Sequence, residues 1–241
     1  MTTIEQRSLI SHANMTNTLR TPQVKTVLDR LFAAAAQDDE TPRWRRQGLS
    51  WETASAEERA DASEATYMPI SRPAGELLYI LVRAKRPHTI VEFGTSYGIS
   101  TIHLAAAVAD NGAGSVITTE LSAAKIFAAR ANLAEAGLDD SVTVLPGDAR
   151  TTLNGVRAPI DFVLLDGWKD LCLPVLRSLE SRLAPGALVV ADDINLPSLN
   201  GYLDYVRDPA NAYVSVAFPV EDGMEISCWT GQRWSAEKGA L

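Results

Sequence analysis

Hydrophobic positions along this chain fall into short runs separated by helical stripes. From residue 89 onward five apolar runs predict strands: Thr89–Phe93, Ser115–Glu120, Ser141–Leu145, Ile160–Asp166 and Ala187–Asp192. Between them apolar residues recur at helical spacing, predicting helices over Ser100–Val108, Ala123–Ala136, Asp170–Leu183 and Ser198–Arg207. Glycine or proline punctuates most junctions, as at Gly112, Gly137, Pro146-Gly147 and Pro185-Gly186. Strand–helix alternation of this kind predicts a parallel sheet with helical crossovers. Two further extended runs, Tyr213–Pro219 and Met224–Thr230, flank Val220-Glu-Asp-Gly and predict a closing hairpin. The expected fold is therefore α/β and Rossmann-like, with seven mostly parallel strands and an antiparallel C-terminal hairpin.

Upstream, Val24, Val27, Leu28 and Leu31 give Gln23–Ala36 a helical stripe, and Ser71–Ala84 predicts a helix leading into the sheet. The stretch between them, Gln37–Tyr67, is polar and charged with Trp44 and Trp51 embedded. Residues 1–67 read as a helical N-terminal extension or cap, and 68–241 as the main domain.

Composition narrows the function. A length of 241 residues with 46% hydrophobic content suits one large α/β domain with a substantial core. No apolar run approaches the roughly 18 residues of a membrane span. The first residues lack the basic start and apolar stretch of a secretion signal. Two cysteines, Cys172 and Cys228, stand outside any paired motif, which predicts a reduced, cytoplasmic protein. The net charge of −8, without a basic block, opposes a nucleic-acid partner and favours a small-molecule one.

The chemistry concentrates at predicted strand ends, where open parallel sheets bind ligands. The first strand runs into Glu92-Phe-Gly94-Thr-Ser96-Tyr-Gly98 and then a helix start, an arrangement suited to nucleotide-like cofactors. Gly94 is expected to allow a sharp turn, and Gly98 close approach of a ligand. Ser96 stands where a dinucleotide fingerprint needs its second glycine, which disfavours a nicotinamide cofactor. An acidic residue before the first glycine instead suits the cationic amino group of S-adenosylmethionine. Ser100 and Thr101 open the helix, and Glu120 ends the second strand, where an acidic residue binds ribose hydroxyls. Asp148 and Ala149 follow the third strand. The fourth ends in Asp166-Gly-Trp168-Lys169 and the fifth in Asp192-Asp193.

Each residue also has a plain structural reading. Glu92 fits an ion pair with Arg86, Asp148 an N-cap, Ser100 and Thr101 caps, and Trp168 a core position. Carboxylates gathered at neighbouring strand ends repel unless a cation lies between them, so Asp166, Asp192 and Asp193 predict a hard-ion site for Mg²⁺, or Mn²⁺ or Ca²⁺. His12, His88 and His103 lack zinc-ligand spacing. A nearby cation and partial burial are expected to lower the pKa of Lys169 and make it a usable base.

Taken together, these segments resemble the metal-dependent O-methyltransferases of the catechol and caffeoyl-CoA type. The resemblance runs from about Met68 to Thr230, and its most specific part is Asp166-Gly-Trp-Lys169 followed by Asp192-Asp193. It implies that Glu92, Gly94, Ser96, Gly98 and Ser100 surround the methionine end of S-adenosylmethionine, with Met68 close by. Glu120 is then the ribose ligand, while Asp148, Ala149 and Trp168 frame the adenine. Asp166 would lie against the cofactor while Asp166, Asp192 and Asp193 hold the metal. Lys169 is the base beside the acceptor, and Glu225 contacts the acceptor's second oxygen. Two positions depart from these relatives: Asp193 stands where they usually carry Asn, and Gly167 where the catechol enzymes carry His. The implied function is methyl transfer to a small vicinal diol, catechol-like first, with a homodimer by the same analogy. A sugar or secondary-metabolite hydroxyl is the alternative acceptor, and a non-catalytic cofactor-binding protein the alternative class.

Overall fold

A computed structural model of the chain describes residues 17–38, 49–51, 53–157 and 159–231. Seven strands form one sheet: β1 (Thr89–Phe93), β2 (Ser115–Glu120), β3 (Val142–Pro146), β4 (Ile160–Leu165), β5 (Leu183–Asp192), β6 (Tyr213–Phe218) and β7 (Met224–Trp229). Their order is β3-β2-β1-β4-β5-β7-β6. The pairs among β1 to β5 are parallel, whereas β7 runs antiparallel to both β5 and β6. The predicted hairpin is thus present, with β7 inserted between β5 and the edge strand β6.

The helices are α1 (Pro22–Ala35), α2 (Ala56–Ala62), α3 (Arg72–Lys85), α4 (Ile99–Asn111), α5 (Ala123–Glu135), α6 (Ala149–Thr152), α7 (Cys172–Leu179) and α8 (Asn200–Arg207). One hydrophobic cluster joins Val24, Val27 and Leu31 of α1 to Leu78 and Val82 of α3, Leu104 of α4 and Ile90 of β1. The second packs Val175, Leu176 and Leu179 of α7 and Tyr202 of α8 against Val91, Val163 and Val189. The central strands are buried on both faces, as their near-continuous apolar runs require. In the first layer α3 approaches α4 closely enough that a Cβ at Gly75 would lie 2.6 Å from the His103 ring. His103 is 2% exposed, and its Nδ1 lies 2.7 Å from the Ile99 carbonyl oxygen, so it belongs to the core.

Several boundaries differ from the sequence expectation, each for a local reason. The expected helix Asp170–Leu183 is shorter: a 3₁₀ turn at Lys169–Leu171, then α7, then a second turn at Glu180–Arg182. Pro174 has no N–H to donate and fits only the first turn, so the α-helix starts near it. Pro197 acts alike, placing a 3₁₀ turn at Pro197–Leu199 before α8. β5 starts at Leu183, earlier than Ala187, and its pairing with β4 jumps from Ile160↔Leu183 to Phe162↔Leu188. The extra residues hold Pro185-Gly186, with φ +78° at Gly186. Within the polar stretch Gln37–Tyr67 the structure contains α2, opened by a capping box in which Ser55 and Glu58 bond reciprocally. Trp44 and the first sixteen positions of the N-terminal extension lie outside the described residues.

Candidate active site

At the carboxyl ends of β1 and β4, where the strand order reverses, a cavity of about 720 Å³ opens. Met68, Gly94, Ser96, Ser100, Glu120, Asp148, Ala149, Asp166, Trp168, Lys169, Asp192 and Asp193 all line it, so most predicted site residues meet. Its backbone is strained: Met68, Ser96 and Asp193 all adopt positive φ, at 44°, 46° and 58°. Non-glycine residues hold this region only where surrounding contacts enforce it. For Ser96 those contacts are its N–H donated to Glu120 Oε2 at 2.8 Å and its hydroxyl donated to the Tyr67 carbonyl at 2.8 Å.

Gly94 makes the expected turn, at φ +105°, and carries a second constraint, whereas Gly98 lies outside the cavity lining. A Cβ at Gly94 would lie 2.6 Å from the Asp166 carbonyl oxygen, so Gly94 permits close approach of two strand ends. A Cβ at Gly98 would meet nothing nearer than 3.6 Å; its φ of +89° is what the N-cap of α4 needs. Gly167 is fixed by packing, since a Cβ there would sit 2.4 Å from the Phe93 ring.

Glu92 is fully buried just behind the cavity wall. It is paired not with Arg86, which donates to the Asn111 carbonyl, but with two hydroxyls: Ser100 Oγ donates to it at 2.6 Å and Thr101 Oγ1 at 2.5 Å. Ser100 and Thr101 therefore anchor a carboxylate and do not cap α4. Burial pushes the Glu92 pKa up to about 7 against the pull of those hydrogen bonds, with Asp166 adding to the rise. Glu120 accepts from the N–H groups of Ser96, Leu121 and Ser122, which locks the β1 and β2 loops together. Asp148 does cap α6, accepting from Arg150 N at 2.8 Å, and it also pairs with the Arg150 side chain.

The acidic cluster is the sharpest feature. One carboxylate oxygen each from Asp166, Asp192 and Asp193 can be chosen so that all lie within 4.8 Å of one another. Lys169 Nζ bonds Asp166 Oδ1 at 2.8 Å and Asp193 Oδ2 at 3.0 Å, seating an ammonium among them. Asp192, 6% exposed, has no ion pair of its own among the described residues. Burial first, then the neighbouring Asp166 and Asp193, raises its pKa to about 8. For Lys169 the expectation is reversed. Burial pulls its pKa down, but the attraction of Asp166 and Asp193 outweighs that and holds the ammonium well above its ordinary value.

In sequence and fold the chain is similar to known methyltransferases. The family model described as "Methyltransferase domain" matches residues 91–194. Catechol O-methyltransferase B of Danio rerio is 29% identical over 178 residues, covering 68% of this chain and 66% of its own length. Catechol O-methyltransferase of Mycobacterium tuberculosis is 32% identical over 142 residues, covering 58% and 64%. The chain thus spans slightly under two thirds of each of these relatives. Among solved structures, an O-methyltransferase from Bacillus cereus in complex with SAH shares the fold with a TM-score of 0.59 at 23% identity, covering 83% of this chain and 99% of that one. The chain is thus similar, in sequence and fold, to the S-adenosylmethionine-dependent O-methyltransferases.

One residue that the resemblance assigns to the site of such a methyltransferase is not brought there. Glu225 is fully buried on β7, and its carboxylate accepts from Arg207 Nε at 3.0 Å, Arg207 Nη2 at 2.7 Å and Ser215 Oγ at 2.6 Å. It is outside the cavity lining and has its bonds already made. Conversely, Trp51, Arg59, Tyr67, Tyr97 and Lys125 line the cavity without having been singled out from sequence as ligands. Lys125 is 3% exposed with its ammonium 5.8 Å from the Tyr97 ring centroid. For Arg59 a signal was available: Ser55-x-x-Glu58 is a capping-box pattern announcing the helix that carries it.

Proposed function

We propose that this chain moves the methyl group of S-adenosylmethionine to one hydroxyl of a small vicinal diol, with a divalent cation and Lys169 as base. The observation that carries the reading is the cluster of Asp166, Asp192 and Asp193 around the Lys169 ammonium at the edge of a cofactor-sized cavity. An all-oxygen donor set of three carboxylates fits a hard divalent ion, Mg²⁺ first and Mn²⁺ or Ca²⁺ next. The seated ammonium marks the same spot as favourable to positive charge, and Asp192, which lines the cavity, has no ion pair among the described residues. When bound there, such an ion supplies Lewis acidity that lowers the pKa of a chelated hydroxyl.

The chain's residues divide the remaining work. Glu120 and the Gly94–Gly98 loop suit the ribose and methionine parts of S-adenosylmethionine, which supplies an electrophilic methyl group. Glu92, tied to Ser100 and Thr101, lies behind that loop, and a cationic amino group bound there would favour its ionised form. Trp168, Ala149 and Asp148 suit the adenine. Met68, Leu196 and Pro197 give the cavity apolar walls that exclude water from the reacting atoms. Once its own proton has passed to solvent, Lys169 would take the hydroxyl proton at Nζ as the free amine. Neutralising the aspartates removes the attraction that keeps it charged, and its burial (11% exposed) then favours the free amine.

Catechol O-methyltransferases among the relatives support a catechol-like acceptor, and a sugar or secondary-metabolite diol uses the same parts. Two free cysteines, one of them buried, fit a reducing, cytoplasmic setting. Among the described residues no helix is long and apolar enough to cross a membrane. The test is incubation with S-adenosylmethionine and pooled catechols and vicinal-diol sugars, scoring S-adenosylhomocysteine release. Release confined to diol-containing pools is expected; equal release from mono-hydroxyl controls contradicts the chelation model.

A further inference from the structure

Part of the N-terminal segment lies across the cavity. On α2, Ala56, Arg59 and Ala60, continued by the C-cap Ser63, share one buried face at helical spacing. Arg59 is the unusual member, an arginine only 7% exposed. Its Nη1 and Nη2 donate to the two carboxylate oxygens of Asp170 at 2.7 and 3.0 Å, the paired geometry that only Arg offers. The same group lies 5.3 Å from the centroid of the Trp168 ring, which Trp51 meets edge-on at 5.1 Å. At the other end Tyr97 donates its hydroxyl to the Glu64 carbonyl at 2.8 Å, and Tyr67 stacks on Tyr97 at 4.0 Å. The stretch from Arg59 to Tyr67 is thereby tied to the loops after β4 and β1, the two strands that flank the cavity.

The two ties differ in kind. The Tyr67–Tyr97 end is made of stacking and hydrogen bonds to backbone. The Arg59 end rests on an ion pair to a carboxylate that is 48% exposed and on the face of the Trp168 ring. It also leaves Arg59 Nε buried without a partner, which disfavours the closed arrangement. Trp168 serves at once as a cavity wall and as the seat of the guanidinium, so opening this end also frees that wall.

We propose that α2 is a cover latched by Arg59 and Asp170, and that cofactor exchange requires the latch to open. This rests on the reading that the cavity takes S-adenosylmethionine. Arg59 is then a positioning residue, acting through Asp170 and Trp168 on how long a cofactor stays. Related interfaces tune affinity mainly through dissociation rates, and loss of a single latch acts in that way.

The test is stopped-flow dissociation of S-adenosylhomocysteine from the full chain, followed by tryptophan fluorescence, for wild type, Arg59→Met, Asp170→Asn and the double variant. Each single change is expected to speed dissociation about tenfold, with association changed less and melting temperature nearly unchanged. The double variant should be no faster than the faster single, because both changes remove the same contact. Arg59→Lys, which keeps charge but loses the fork, should fall between. Unchanged dissociation in both single variants, or effects that simply add, overturns the latch. Should Arg59→Met fail to fold, Asp170→Asn decides alone, since Asp170 is half exposed. Failure of the wild type to bind S-adenosylhomocysteine overturns the cofactor reading and the latch together, whereas tight binding with unchanged rates overturns the latch only.

Discussion

Asp192 and Lys169 respond oppositely to the same crowd of carboxylates, and that opposition yields the pH behaviour. The Asp192 pKa rises from its ordinary 3.8 to about 8 when folded, and that of Glu92 from 4.5 to about 7. A raised folded pKa means the native state binds extra protons, so this stabilisation is complete below about pH 4 and disappears as pH climbs through 7 to 8. The metal-free protein should therefore melt at lower temperature at pH 8 than at pH 6. Added Mg²⁺ should raise the melting temperature more at pH 8, and Asp192→Asn should flatten the pH dependence. Differential scanning fluorimetry reads both, and a larger Mg²⁺ effect at pH 6 would contradict the assignment. Lys169→Ala should still bind S-adenosylhomocysteine by calorimetry but lose roughly 10²–10⁴ in turnover, the usual contribution of a positioned base. Sequence alone revealed which residues gather here, because strand ends are periodic and charged residues there are conspicuous. It did not reveal the direction of the Lys169 shift, which depends on two carboxylates within 3.0 Å. Nor did it reveal that Glu225 is consumed by Arg207, a partner eighteen positions away on a different element.

Among the elements, the parallel strands were legible because each is a compact apolar run buried on both faces. α2 was not: at 7 residues its apolar signal is only alanines, and its cap carried the information instead. Ends that depend on proline geometry, at Pro174 and Pro197, were also misplaced, since periodicity ignores the missing N–H. Two substitutions separate elements that hold the fold from those that serve the site. Leu78→Ala, in the fully buried interface of α3, should cost about 2–5 kcal/mol in chemical denaturation. Ser55→Ala breaks the capping box of α2 and should weaken that helix by about 1 kcal/mol. Because α2 is short and peripheral to both hydrophobic clusters, the second change should appear in cofactor dissociation more than in global unfolding. A full loss of global stability from Ser55→Ala would show that α2 belongs to the cooperative core.

For the whole molecule, a sheet of order β3-β2-β1-β4-β5-β7-β6 puts its reversal between β1 and β4, and Glu120, Asp148, Asp166, Asp192 and Asp193 all line the cavity that opens there. A chain of net charge −8 collects three carboxylates and one lysine in a single corner of the cavity, an arrangement that makes sense when a divalent cation completes it. That completion is the central claim, and methyl transfer in the absence and presence of metal tests it most directly. With an accepted diol and S-adenosylmethionine, EDTA-treated wild type should release no S-adenosylhomocysteine, and Mg²⁺ should restore release in wild type but not in Asp192→Asn. Release that continues undiminished after EDTA treatment would contradict the account.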